Sequence, residues 1–232
     1  MEDTTMVAKT RAEYESIGKA ASQELIDIIR DIGGWHLEKA AADNNGIKVE
    51  TRKSTVGESD IIMTTCELDA PAKRVLAMVL PWLPYRLQFD DLLESTQVID
   101  QVSESMYLVQ HVTKKKMPLS ARESIDVVTL GKEDDFYYVS SAGTSHPDFP
   151  IRPKYVRTHQ YLGGYVIYPE ENENQCTFKM FIHADLNIAG PKLMNNIVQM
   201  VKPKFMADKI KALKKALVNI PIDEAHIKCL NV

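Results

Sequence analysis

The sequence predicts an α+β fold, a curved antiparallel sheet closed by one long C-terminal helix. Between Thr96 and Asp185, six segments alternate apolar and polar residues at period two with no helical stretch between them, as in an antiparallel meander. From Gly190 to Ile220, apolar residues instead recur at three- and four-residue steps, as in an amphipathic helix. A strongly curved sheet cannot bury its own concave face, so that helix is its expected lid.

Residues from Met6 to Ile32 read as a first helix, with Leu25, Ile26, Ile28, Ile29 and Ile32 gathering apolar surface and Gly33-Gly34 ending it. Trp35 to Lys53 reads as a hairpin turning at Asp43-Asn44-Asn45-Gly46. Asp60 to Leu68 is a third strand. It is followed by Asp69-Ala70-Pro71, where Asp69 is expected to cap the next helix and Pro71 to occupy its first turn. Pro81 and Pro84 divide the stretch from Ala72 to Leu93 into two short helices.

The meander strands fall at 96–102, 104–112, 121–130, 136–142, 155–168 and 174–186. Turn chemistry separates them, most clearly Gly131 to Asp135, the proline-rich GTSHPDFPIRP, and EENEN. The closing helix carries Leu193, Ile197, Met200, Val201, Phe205, Ile210, Leu213 and Leu217 on its apolar stripe, with Lys202, Lys204, Lys209, Lys211, Lys214 and Lys215 as polar positions. Pro203 weakens its hydrogen-bond ladder locally, which leaves room for a cavity beneath and a point of flexing.

Composition narrows the function. The chain has 232 residues, 44% hydrophobic and 26% charged, enough for one domain with a sizeable core. A net charge of −4 gives no basis for nucleic-acid binding. The polar N-terminus and the lack of a long apolar run are read as neither secretion signal nor membrane span. Cys66, Cys176 and Cys229 are odd in number and far apart, as expected of reduced thiols in a cytoplasmic protein. His36, His111, His146, His159, His183 and His226 form no metal-ligand spacing, and no nucleophile elbow, phosphate-cradling glycine loop or Cys-x-x-Cys occurs. No metal, cofactor or catalytic residue is expected, and the chain is expected to be monomeric.

In order and spacing, GGWHLEKAAADNNGIKVETRKS, YVRTHQYLGGYVIYP and CTFKMFIHADLNIAGPKLMNNIV resemble the opening hairpin, the Val-Arg strand and the last strand of the START domain family of lipid-transfer proteins. The likeness runs from about Gly34 to Leu217. It implies a helix-grip fold around a lipid tunnel and the organisation 1–33 N-terminal helix, 34–220 lipid-binding domain, 221–232 C-terminal tail. It also implies a carrier that exchanges one phospholipid between membranes and touches them only transiently.

YRLQFD is similar to the head-group stretch of phosphatidylcholine-carrying members. By that match Arg86 meets the lipid phosphate and Asp90 orients it, while Tyr161 and Phe205 fall on two positions of an aromatic choline cage. At the other two cage positions, there is no tryptophan near Tyr107–Val109, and Ser124 stands where a tyrosine would be expected. The acidic–basic pair of sterol-binding members would fall at Val109–Gln110 and Val128, where no charge stands.

The residues alone leave alternatives open. Arg86 and Asp90 are spaced as an ordinary surface i,i+4 pair. They are equally spaced to meet a third charge in a low-dielectric site, where a guanidinium fork suits a phosphodiester. Arg157, His159 and Tyr161 share one strand face, either solvated or lumenal. Tyr107, Val109 and Ser124 are candidate lumen positions, as are Leu193, Ile197, Met200 and Val201 of the last helix. Lys114, Lys115 and Lys116 beside Met117 and Leu119 read as a solvated loop or as a lid resting on an anionic membrane. Two rival functions remain: a sterol or other hydrophobic-ligand carrier of the same fold, and an enzyme using His111, His159 or His183 in the lumen.

Overall fold

The structure, a computed structural model, describes residues 9–38, 46–117, 119–188, 192–230 and 232, with side chains throughout except at 192–199. The elements are α1 (Arg11–Arg30), β1 (His36–Leu37), β2 (Lys48–Arg52), β3 (Ile61–Leu68), α2 (Ala72–Val79), α3 (Arg86–Phe89) and β4 (Leu93–Ser103). Next come β5 (Met106–Thr113), β6 (Arg122–Lys132), β7 (Tyr137–Gly143), β8 (Val156–Arg157), β9 (His159–Pro169), β10 (Cys176–Asp185), α4 (Lys192–Asn219) and α5 (Glu224–Lys228).

The strands form one curved sheet in the order β1-β2-β3-β10-β9-β7-β6-β5-β4, with β8 paired parallel to β6 and all other pairings antiparallel. The six predicted meander segments thus appear as β4 to β10, the 155–168 segment being split into β8 and β9. The opening hairpin attaches to the far side through β3 and β10. Residues 39–45, which include most of its expected turn, lie outside the described residues; Gly46 beyond them adopts φ 76°, a conformation glycine takes without a Cβ clash.

Both faces of the sheet are covered. On the outer face, α1 buries Tyr14 with Leu108, Ile125 and Val127, and Leu25 with Leu162, Val166 and Phe181. The helix starts later than its apolar pattern suggests, because Thr10 and Glu13 form a reciprocal capping box. On the inner face, Val109, Val128, Val139, Ile167 and Phe178 pack against α2 and the buried stripe of α4, which runs through Met206, Ile210, Leu213 and Leu217. Each such side chain stabilises by about 1.5–3 kcal/mol when fully buried.

Two expected details differ. Pro71 is itself the N-cap of α2, and Asp69 accepts from Gln175 Nε2 (2.9 Å) instead of capping. The last residues also carry a helix: α5 is pinned by Tyr85, whose hydroxyl meets His226 Nδ1 at 2.7 Å and accepts the Asp223 amide at 2.9 Å. Arg74 of α2 donates to the Leu217 and Ile220 carbonyls, groups that the end of α4 would otherwise leave unpaired. The C-terminal end of the lid helix is therefore anchored to the body of the domain.

Candidate functional site

Beneath α4, the concave face of the sheet encloses a cavity of about 240 Å³. Met180, Ile182, Val128, Phe205 and Met206 give it apolar walls. The Lys114–Leu119 loop covers one side, where Lys116 and Leu119 exchange backbone hydrogen bonds and the Lys116 ammonium sits 5.2 Å from the Phe205 ring centre. Lys114, Lys115 and Lys116 are exposed, Met117 projects outward, and Leu119 lines the cavity.

The pair predicted from YRLQFD faces this cavity. A single turn of helix after Pro84 sets its spacing, with the Asp90 amide donating to the Arg86 carbonyl at 3.0 Å. Arg86 lines the cavity, its Nε 3.8 Å from Asp90 Oδ2 and its guanidinium 5.9 Å from the Tyr165 ring centre. Asp90 is nearer to a partner the sequence did not suggest, Lys209 of α4, at 3.0 Å. Burial alone would raise the Asp90 pKa, but Lys209 and Arg86, with hydrogen bonds from Lys209 and Leu92, hold it below the usual carboxylate range. Asp90 thus ties α3 to the lid helix. Arg86, for which burial is likewise outweighed by Tyr165, Asp90 and Asp126, stays charged, and its guanidinium makes no hydrogen bond among the described residues.

A second polar group stands on β5 and β6. Ser124, expected as a lumen position, lines the cavity, and its hydroxyl donates to Asp126 Oδ2 at 2.7 Å. The same oxygen meets His111 Nδ1 at 2.9 Å. The side chain of Asp126 is only 2% exposed. His111 and Asp126 both line the cavity; the sequence reading weighed His111 only as a possible acid or base and did not consider Asp126. Their link was available from strand parity, since positions 124 and 126 must share a face.

Several predicted positions fall elsewhere. Tyr161 is not a cavity residue. It shares the strand parity of Arg157 and His159, opposite to Thr158 and Gln160 of the lining. A register shift opposite His183 and Ala184 leaves it without a β10 partner, and beyond it the inward parity passes to Gly163 and Tyr165. Tyr161 turns to the outer face and lies 4.7 Å from the His183 ring and 5.0 Å from that of His159. Arg157 is drawn to Glu123 (2.9 Å), on the strand face shared with Ile125 and Val127. Phe205 alone of the two cage candidates borders the cavity, with Tyr165 and Phe181 as its other aromatic lining residues. Of the three candidate catalytic histidines, only His111 does so.

Tyr107 packs instead against Trp82, ring centres 4.2 Å apart, and Val109 is fully buried core. Met200 is 80% exposed. Stepping back along α4 by four from Ile210 gives Met206 and Lys202, and Met200 lies two residues, about 200°, round the helix from Lys202. Val201 is half-buried off the lining, and the side chains of Leu193 and Ile197 lie outside the described residues. Lys202, read as a polar surface position, is instead buried and lines the cavity. Burial pushes its pKa down to about 8, against the opposing pull of Asp60 and Asp185.

Among the described residues, no helix is long and apolar enough to cross a membrane, and no group of His, Cys, Asp and Glu is placed to hold a metal.

Comparison with known proteins agrees with this architecture. The family model for the START domain matches residues 18–217. The chain is 23% identical over 211 residues to StAR-related lipid transfer protein 5 of Bos taurus, covering 89% of this chain and 96% of that protein. It is 22% identical over 201 residues to StAR-related lipid transfer protein 6 of Homo sapiens, covering 84% and 88%. The solved structure of human StAR-related lipid transfer protein 5 superposes with a TM-score of 0.83 at 20% identity, over 90% of this chain and 98% of that one. That of human STARD10 gives 0.71 at 19% identity, over 94% and 84%. With a sheet, a lid helix and a family match that together span most of its length, the chain belongs to the START domain family.

Proposed function

We propose that this START domain is a carrier that takes one phosphate-bearing lipid from a membrane, encloses it beneath α4 and releases it at another. The observation that carries this reading is the Arg86 guanidinium, charged, lining an otherwise mainly apolar cavity and without a hydrogen bond among the described residues. Its nearest carboxylate oxygen is 3.8 Å away and is already taken by Lys209 at 3.0 Å. A phosphodiester supplies the planar acceptor pair that a guanidinium fork matches. Lys202, also at the cavity wall, adds a second cation, with no carboxylate in ion-pair distance among the described residues.

Enclosure is a physical necessity for such cargo. Each methylene costs about 0.8 kcal/mol in water, so two chains of about thirty methylenes in all cost on the order of 25 kcal/mol if exposed. The cavity must therefore widen on loading, because 240 Å³ lies below the roughly 300–1,000 Å³ typical of ligand pockets. In this reading the opening lies at Lys114–Met117 and at Pro203 of α4, away from the end held by Arg74. Lys114, Lys115 and Lys116, with Met117 exposed beside them, would hold this opening against an anionic membrane at about 1 kcal/mol per basic residue. The small volume also favours a second reading, a single compact lipid such as a sterol.

Native mass spectrometry of the protein purified from cells, with lipid extraction, separates the two. A co-purifying phosphodiester lipid is expected; a sterol alone would overturn the phosphate reading. In transfer between liposomes, Arg86→Ala is expected to keep its melting profile and lose phospholipid transfer, and undiminished transfer would remove the clamp.

A further inference from the structure

Two residues that line the cavity each carry a buried polar atom with no partner among the described residues. Asp126 Oδ2 accepts from both His111 Nδ1 and Ser124 Oγ, yet Asp126 Oδ1 and His111 Nε2 are buried without a partner among the described residues. Polar atoms buried in this way are rare and call for an explanation. Facing the Asp126 carboxylate through Nδ1 sets the ring tautomer in which Nε2 accepts. The two unpartnered atoms at this point are therefore both acceptors. Arg86, the proposed phosphate ligand, is close enough for its charge to be held by Asp126.

We propose that His111 and Asp126 select the lipid head group by requiring a hydrogen-bond donor, an ammonium N–H or a hydroxyl O–H, next to the phosphate. This rests on the phosphate reading of Arg86 and extends it. A choline group has no N–H or O–H, and Tyr161, one of the two aromatic positions expected to hold its quaternary nitrogen, does not line the cavity. Choline lipids would leave both acceptors dry and unpaired. Ethanolamine and glycerol head groups would fill them. An unmet buried acceptor costs enough to separate such ligands on the order of tenfold to a hundredfold.

The test is competitive loading of the full chain from vesicles of four lipids with identical acyl chains. Phosphatidylethanolamine carries an ammonium, phosphatidylglycerol a hydroxyl, phosphatidylcholine neither, and diacylglycerol a hydroxyl without phosphate. The parent protein is expected to prefer the ethanolamine or glycerol lipid over the choline lipid by about tenfold or more. Whichever of the two leads identifies the donor as nitrogen or oxygen. The double variant His111→Phe, Asp126→Val removes both acceptors and should load all three phospholipids equally. If it does not fold, His111→Phe alone should reduce the preference while leaving Asp126 in place.

Equal loading of the choline lipid by the parent, or a preference that survives in the variants, would overturn the proposal. Arg86→Ala separates this from the phosphate reading. Loss of the phospholipids with diacylglycerol retained supports both, whereas an unchanged profile that still excludes choline removes the phosphate clamp and leaves the donor requirement standing.

Discussion

Replacing Lys202 with methionine should make the protein more stable. Lys202 is 7% exposed, and among the described residues no carboxylate lies within ion-pair distance of its ammonium. A fall in pKa from an ordinary 10.5 to about 8 corresponds to about 3 kcal/mol of disfavour for the charged form. The folded state thus binds fewer protons than the unfolded state between about pH 8 and 10.5, so stability rises with pH across that window. Below about pH 8 the whole penalty is present. Methionine keeps the length and flexibility of the stem without the charge. Thermal melts of delipidated protein should place Lys202→Met about 5–10 °C above the parent at pH 7, with the gap closing by pH 10.5. A variant melting at or below the parent at pH 7, or a gap of equal size at both pH values, would refute the claim that an unpaired buried charge sets the difference.

Glu123, fully buried between Arg152 (2.7 Å) and Arg157 (2.9 Å), gives the opposite result. Glu123→Gln should cost about 3–5 kcal/mol by urea unfolding, because it strands the Arg157 guanidinium. Burial raises its pKa, but hydrogen bonds from Arg157 and Arg152 lower it more, so its stabilisation is complete above about pH 4.5 and lost as pH falls through the lowered value. Asp90 adds to the same acid limb. An acid transition of the Gln variant that coincides with the parent's would sink that assignment. Burial pushes the Cys66 thiol up to about 11 and Cys176 to about 12, whereas Cys229 is exposed. A thiol reagent at neutral pH should therefore modify one cysteine in the native protein and three after denaturation; rapid native labelling of two or more would contradict the packing.

What the sequence made legible follows from where its patterns are forced. The meander strands were readable because alternate residues meet two different surroundings, the α1 side and the cavity side, so period two is imposed residue by residue. Arg86 and Asp90 were readable because a helical turn fixes their relation locally. The Tyr161 role was carried by the resemblance and not by the pattern: period two put Arg157, His159 and Tyr161 on one face, but nothing in HQYLGG says which side of the sheet that face meets. Lys209 stands 119 positions from Asp90, a separation that only the closed fold cancels. Lys202 failed for a different reason. Pattern logic assigns lysine to the solvated side of a helix, and this residue breaks that rule at the cavity, where departures from folding logic are expected to collect.

The Arg86 fork, His111 Nε2 and Asp126 Oδ1 are left incompletely satisfied beside one cavity, with the Lys202 ammonium at its wall. Buried polar atoms without a partner among the described residues also occur away from it, at Thr64, Thr129, Thr144, Arg157 and His183. A chain selected for stability alone would replace the cavity groups with apolar side chains of similar volume, often at no loss or even a gain. What sets the cavity group apart is its chemistry, a cationic fork beside two acceptors, which speaks for a ligand that completes them and fits a carrier better than a permanent binder. Acyl tails gain similarly from a bilayer and from the cavity, so tail burial cannot decide direction or cargo. The balance is left to the head group, exchanging hydration at a membrane surface for a guanidinium and two acceptors. A deficit of a few hydrogen bonds, each worth about 1 kcal/mol net and more to charged groups, is large enough to choose among head groups and small enough to let the cargo leave.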